Sequence, residues 1–241
     1  MSANEQTHPD VLAIIPCRRG SKRLPGKNMR SLCGRPLLDY TVVPARSSPV
    51  VGNILVTTDD PEVAARAADL GCPVPFMRPA ELASDDVTTA ETVLHALDWY
   101  QSANGRDPDI LMVLQVTSPL RPPQSLEKAI QLLAENPTAM AVVGVRRLGV
   151  GAEHIYAETS PKAYLDQLPF SSPRPLFVPN GAMYAIRTST FREELNFVPV
   201  RTLAMHFSPQ TSVDIDTEDD FLMAEALMSH GLADAKLALL S

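Results

Sequence analysis

Short apolar runs alternate with amphipathic, helix-forming stretches along this chain, and that alternation points to an α/β fold with a mostly parallel sheet rather than a sandwich or a bundle. Val11 to Ile15 reads VLAII and is ended by Pro16, the composition of a strand buried on both faces. Pro36 to Arg46 suits a helix with proline near its start. Asn53 to Thr57 is a second strand, and Pro61 to Leu70 is an Ala-rich helix stopped at Gly71, with Asp59 or Asp60 as its cap. Val87 to Tyr100 is a longer amphipathic helix, and Ile110 to Gln115 is another buried strand. Gln124 to Glu135 is a helix begun after two prolines, and Met140 to Val145 is an apolar strand. Between Arg146 and Pro179 the periodicity fades and prolines accumulate. Gly181 to Ile186 and Leu203 to Phe207 then resume strand patterns, and Thr217 to Met228 forms a last helix. The expected layout is one domain over 11–230 carrying an excursion at 146–179, with a disordered N-terminal tail at 1–10 and a C-terminal tail at 231–241.

At 241 residues and 45% hydrophobic composition the chain is long enough to bury a full core. A formal net charge of −7, with the cations concentrated locally, argues against nucleic acid as a partner. Cys17, Cys33 and Cys72 are odd in number and lack metal-ligand spacing, so three reduced thiols in a reducing compartment are expected. No apolar run approaches the ~20 residues of a membrane helix, and Met1 to Asp10 is polar, without the basic and apolar regions of a signal peptide. A cytoplasmic protein with no membrane partner is expected.

The first strand runs directly into a basic loop. Ile14 to Asn28 reads IIPCRRGSKRLPGKN, which places Arg18, Arg19, Lys22, Arg23 and Lys27 among glycines and a proline. A parallel strand delivers such a loop to the carboxyl edge of the sheet, where open α/β folds bind ligands. Gly20 and Gly26 release the backbone for close approach and Pro25 restricts it, so the stretch reads as an anion cradle. A solvated basic loop is the plainer alternative. It is not a Walker A loop: five residues separate the glycines, and Asn28 stands where that motif needs Ser or Thr. No G-x-G-x-x-G turn follows the strand either.

Two further constellations fall at strand ends. Gln115 to Arg121 reads QVTSPLR, an amide, two hydroxyls and a guanidinium suited to fixing a polar ligand, although Ser-Pro is also ordinary turn chemistry. In Ser212-Val213-Asp214-Ile215-Asp216-Thr217 the two aspartates are two apart, so in an extended segment both carboxylates point to one side while Ile215 points to the core. Such a pair suits magnesium, which takes one or two carboxylates and completes its shell with water and phosphate oxygens. Asp216 or Thr217 could instead cap the following helix.

With these segments in place, the chain resembles the acylneuraminate cytidylyltransferase family, whose members activate sialic acid and related nonulosonic acids, legionaminic acid among them, as CMP-sugars. Keto-deoxyoctulosonate cytidylyltransferases are more distant relatives. The likeness runs in family order from IIPCRRGSKRLPGKN through VTTDDPEVA, FMRPAELASDD, LQVTSPLRP and PNGAMYAIR to SVDIDTEDDF. It implies a Rossmann-like nucleotidyltransferase fold, a small dimerisation excursion, a homodimer, and Mg²⁺ as cofactor with Mn²⁺ able to substitute. The implied partners are CTP and a sugar acid, which exchange CMP with release of pyrophosphate.

Position by position, Arg18, Ser21, Lys22, Lys27 and Asn28 match the nucleotide and triphosphate loop, with Lys27 on the leaving pyrophosphate. Arg78 and the segment through Thr89 match the cytidine side. Gln115, Thr117 and Ser118 match the acceptor loop, and Asp214 and Asp216 match the metal aspartates. Arg18, Lys27 and Asp216 are thus the expected catalytic set. The departure is the excursion, EHIYAETSPKAYLDQLPFSSPRPLFVPNGA. Phe170 and Ser171 stand where the family carries an Arg-led element, leaving Lys162 and Arg174 as candidate acceptor cations. Three readings compete: a CMP-nonulosonate synthetase, a cytidylyltransferase for another acid such as an octulosonate or a phosphonate, and a nucleotide-binding protein without turnover. No motif nominates a general base.

Overall fold

In the computed structural model the described residues are 9–159, 164–167 and 174–231. Strand β1 (Val11–Cys17) leads through the basic loop to a small hairpin, β2 (Ser31–Leu32) and β3 (Arg35–Pro36), and then to helix α1 (Asp39–Ser47). Next come β4 (Asn53–Thr58), α2 (Pro61–Asp69), α3 (Thr89–Asn104), β5 (Ile110–Val113), α4 (Ser125–Glu135) and β6 (Ala141–Arg147). The chain continues with β7 (Tyr156–Thr159), β8 (Tyr164–Gln167), β9 (Phe177–Arg187), α5 (Thr188–Glu194), β10 (Thr202–His206) and α6 (Glu218–Ser229).

Six strands form one sheet in the order β10-β6-β9-β5-β1-β4. β1 pairs in parallel with both β4 and β5, and β10 pairs in parallel with β6. β9 runs antiparallel between β5 and β6. The apolar run of β1 divides between two cores, as a strand covered on both faces must. Val11, Ala13, Ile15 and Cys17 pack on the side of α1, α2, α4 and α6, while Leu12 and Ile14 pack on the side of α3 and α5.

The helix ends follow local chemistry. Asp60 caps α2 by accepting from the Glu62 amide, Pro61 opens the helix, and Gly71 follows it in a left-handed turn at φ 73°. Thr88 and Glu91 form a capping box at the start of α3, and Thr217 and Asp220 form one at α6.

Pro36 does not open a helix. Residues 31–36 turn back on themselves through Cys33 (φ 48°) and Gly34 (φ 89°), two consecutive left-handed residues as a tight hairpin requires, and α1 starts only at Asp39. Within the 146–179 excursion the described residues include regular strands. β6 extends to Arg147, paired with Phe177 at the start of β9, and β7 and β8 pair antiparallel between them. Asp10, assigned to the tail from sequence, is held by its amide on the Asp109 carboxylate at 2.8 Å and by Arg106 at 2.8 Å. The remaining tail positions, 1–8 and 232–241, lie outside the described residues, as do Lys162, Phe170 and Ser171.

The three thiols occupy different environments. Cys17 is buried and its pKa is pushed up to about 12, chiefly by burial and against the pull of Arg78. Cys72 is also buried and its pKa is raised by desolvation, whereas Cys33 is exposed. A thiolate-selective reagent at mild pH should therefore modify Cys33 quickly, and Cys17 and Cys72 only as denaturant unfolds the chain. Rapid modification of Cys17 in the native protein, read by peptide mass spectrometry, would contradict this burial.

Candidate active site

β4 and β5 flank β1 on opposite sides, so the chain changes direction of winding at β1, and a crevice opens beyond its carboxyl end. That crevice is a cleft of about 510 Å³. The basic loop contributes Arg18, Ser21, Lys22, Arg23, Lys27 and Asn28 to one wall. Arg78, Asp85 and Thr89 come from the segment between β4 and α3, and Gln115, Thr117, Asp214 and Asp216 close the other side. Stretches far apart in the chain, 18–28, 78–89, 115–117 and 214–216, thus converge at the carboxyl edge of the sheet.

The loop is a built structure rather than a solvated run. Asn28 is buried, donates its side-chain amide to the Arg18 carbonyl at 3.0 Å, and accepts from the Leu38 amide at 2.9 Å through its own carbonyl. The Arg19 amide donates to Asp59 at 2.8 Å and the Leu24 amide to the Ser21 hydroxyl at 3.4 Å. Gly26 sits at φ 69°, a conformation that glycine adopts without strain, and turns the chain so that Lys27 enters the cleft.

The cations of this loop meet carboxylates across the cleft. Arg18 pairs with Asp85 at 2.8 Å, and Lys22 reaches the other oxygen of the same carboxylate. These two partners, Lys22 first, hold the Asp85 carboxyl below the usual aspartate range. Arg23 and Lys27 share Asp216, at 2.6 and 2.9 Å, and Lys27 also donates to the Ile215 carbonyl at 3.1 Å. Asp85 and Asp216 thus occupy, with their charge, the donors that a polyphosphate would take. Arg23 belongs to the basic cradle read from the sequence, whereas Asp85 is not marked as a partner there, because an acidic SDD segment looks like ordinary surface.

Arg78 is buried, with its guanidinium on the Thr57 hydroxyl at 3.3 Å and on the Thr57 carbonyl. Desolvation lowers its pKa. It lines the cleft, as does Thr89, the first residue of α3.

Ile215 is fully buried while Asp214 and Asp216 both reach the cleft, as their spacing implies. Thr217, not Asp216, caps α6, which leaves the Asp216 carboxylate to the cleft. Asp214 is reachable from the cleft, yet the protein around it desolvates the carboxyl and raises its pKa. Repulsion from Asp216 adds to the rise, while the Thr117 hydrogen bond and Lys27 oppose it.

Gln115 and Thr117, expected from sequence on the acceptor side, line the cleft, and the Thr117 carbonyl accepts from the Ile215 amide at 2.7 Å, tying this loop to the aspartate segment. Ser118 stands behind the wall instead. It is fully buried, with its hydroxyl 3.5 Å from the Asn180 carbonyl, because the turn at Pro119 directs it to β9 rather than outward. Arg174 is exposed just ahead of β9 and does not line the cleft, and Lys162 lies outside the described residues. Among the described residues no histidine lines the cleft. His206 packs its ring on Phe177 and His230 follows the end of α6.

A mostly parallel sheet with a polyanion-sized basic cleft at its carboxyl edge defines an α/β nucleotidyltransferase. The cytidylyltransferase family model matches residues 12–201, and the chain belongs to that family. It is 33% identical over 226 residues to the CMP-N,N'-diacetyllegionaminic acid synthase of Legionella pneumophila, covering 90% of this chain and 96% of that protein. It is 32% identical over 219 residues to the N-acylneuraminate cytidylyltransferase of Escherichia coli, covering 89% of this chain and 51% of that one, so the chain spans about half of that relative. In fold it is similar to CMP:2-keto-3-deoxy-manno-octonic acid synthetase complexed with CTP, at a TM-score of 0.67 and 19% identity over 92% of this chain and 99% of that one. It also resembles the 4-diphosphocytidyl-2C-methyl-D-erythritol synthase of Anaerococcus prevotii, at a TM-score of 0.63 and 12% identity over 92% and 99%.

Proposed function

We propose that this chain transfers CMP from CTP to a nonulosonic sugar acid with release of pyrophosphate. The observation that carries the reading is the convergence in one cleft of the basic loop, the Asp214–Asp216 pair and the Gln115–Thr117 loop. The Legionella pneumophila relative, matched over 96% of its length, supports the nonulosonic acceptor. The anomeric hydroxyl of the acid forms the new bond to the α-phosphorus as the bond to the β-phosphate oxygen breaks. Chemistry of this type rests on positioning and on neutralising charge. Arg18, Lys22, Arg23 and Lys27 exchange Asp85 and Asp216 for phosphate oxygens, and Lys27 and Arg18 stabilise the departing pyrophosphate. Arg78 and Thr89 border the cytidine, and Gln115 and Thr117 orient the acid.

The two aspartates also fit a divalent cation. Their mutual repulsion contributes to the raised Asp214 pKa, and a cation beside them would relieve it. Among the described residues no group of three or more His, Cys, Asp or Glu could hold a metal, so water and phosphate oxygens would complete the shell, as Mg²⁺ prefers. Bound there, Mg²⁺ or Mn²⁺ supplies charge neutralisation at the triphosphate.

Assembly as a homodimer through the excursion belongs to the same reading. Tyr156 at the start of β7 and Phe177 at the start of β9 expose apolar surface, at 48% and 39%. Light scattering at micromolar concentration should report twice the chain mass, and a monomer would overturn this part. Among the described residues no helix is long and apolar enough to cross a membrane, and three thiols without a disulfide suit a reducing cytoplasm.

The test is pyrophosphate release with each nucleoside triphosphate and a panel of acids: N,N'-diacetyllegionaminate, N-acetylneuraminate, pseudaminate, keto-deoxyoctulosonate and a phosphonate. CTP with a nonulosonic acid should lead, and UTP should be turned over far less. Equal use of UTP, or preference for the octulosonate, would replace this reading with that of a cytidylyltransferase for another acid. CTP binding without pyrophosphate release from any acid would leave the non-catalytic reading.

A further inference from the structure

Arg121 is a charged side chain with no place in the reaction described above. It is buried at 4% exposure and does not line the cleft. Among the described residues no carboxylate bonds to it. Its Nη2 donates to the Gln115 carbonyl at 2.8 Å and its Nε donates to the Ala182 carbonyl. Burial pushes its pKa down to about 9, which keeps the guanidinium charged at neutral pH. A buried cation satisfied only by carbonyls is costly, and an apolar side chain of similar volume would fill the same space at lower cost. Packing alone is therefore a weak reason for an arginine here.

The two carbonyls it holds are informative. Gln115 leaves the end of β5 as the first residue of the acceptor loop, and Ala182 belongs to β9, the antiparallel neighbour of β5. One planar fork thus spans the exit of one strand and the body of the next, a geometry a lysine cannot reproduce. The Gln115 side chain lies directly over Gly181. A Cβ built on that glycine, which sits at φ 73°, would be 2.5 Å from Gln115 Oε1. The same junction continues into Asn180, whose side chain accepts from the Ala182 amide at 3.1 Å and donates to the Ser212 hydroxyl at 3.0 Å, two residues ahead of Asp214.

We propose that Arg121 is a positioning residue for the acceptor: its fork on the Gln115 and Ala182 carbonyls sets the Gln115 amide over Gly181 and toward the cleft. The inference rests on the reading of Gln115 as an acceptor-side group. It separates the two halves of the site, because the triphosphate loop has no bond to Arg121. Loss of the fork lets Gln115 drift and weakens the hold on the acid while CTP binds as before.

The test compares Arg121→Lys, Arg121→Met, Gln115→Ala and the double variants, with N,N'-diacetyllegionaminate or whichever acid of the panel turns over fastest. Arg121→Lys should raise KM for the acid at least tenfold and leave KM for CTP, and CTP affinity by calorimetry, within about twofold. Adding Arg121→Lys to Gln115→Ala should cost little more than Gln115→Ala alone, because one residue acts through the other. Multiplying effects in the double variant, a parallel rise in KM for CTP, or failure of both Arg121 variants to fold would each overturn the proposal in favour of a structural role. A silent Gln115→Ala would instead remove the acceptor-side reading itself, and the two failures are thereby distinguished.

Discussion

Replacing Lys27 by alanine should lower kcat by roughly 10²–10³, since losing one preorganised donor to a developing charge typically costs about 2.7–4 kcal/mol. The structure sharpens the reason. Lys27 has a side-chain exposure of only 15%, and its ammonium is held 2.9 Å from Asp216 and 3.1 Å from the Ile215 carbonyl. Its direction is therefore set before any nucleotide arrives, by the Gly26 turn on one side and the aspartate segment on the other. A preset charge need not reorganise as the α–β bond breaks. KM for CTP should change far less than kcat, because Arg18, Lys22 and Arg23 still line the cleft and, in the proposed reading, hold the phosphates. Steady-state kinetics with saturating acid separates the cases. An effect confined to KM would mean that the loop holds CTP without assisting departure of pyrophosphate.

Replacing Asp216 by alanine should abolish turnover while the protein stays folded. The carboxylate has a side-chain exposure of 34% and bonds to Arg23, which is exposed, and to Lys27, which at 15% exposure keeps only the Ile215 carbonyl when Asp216 is lost. The cap of α6 survives, since Thr217 and Asp220 build it between them. A stability loss of about 1–3 kcal/mol is expected from the stranded Lys27 donor, short of unfolding the protein. Activity is another matter. Asp216 sets the position of Lys27 and, in the proposed reading, shares a divalent cation with Asp214. Thermal denaturation and pyrophosphate release on the same preparation measure both quantities. Full activity of the variant, or full activity of the native protein in excess chelator, would remove the metal assignment.

Elements whose limits depend on near neighbours in the chain were legible in the sequence. α2 lies between Asp60-Pro61 and Gly71, and α6 begins beyond Thr217, because capping and left-handed turns are decided within a few residues. β1 announced itself as a strand covered on both faces because a continuous apolar run has no side left for water. The start of α1 was misplaced for an equally local reason, as the Cys33-Gly34 turn spends Pro36 on a hairpin before the helix can begin.

What the sequence by itself determined was the chemistry available: a basic loop after a buried strand, two aspartates on one side of an extended segment, and an amide-hydroxyl turn. Only the tertiary structure decided how those pieces meet. An apolar strand pattern carries no direction, so nothing near Gly181 indicated that β9 would run antiparallel between β5 and β6 and bring Asn180 and Gly181 behind the Gln115–Ser118 loop. The pairing of Asp85 with Arg18 and Lys22, and the fork of Arg121 on Gln115 and Ala182, join residues whose partners are fixed by the strand order. Local propensity acts over a few residues, whereas burial and charge pairing act across whatever surfaces the sheet brings within reach.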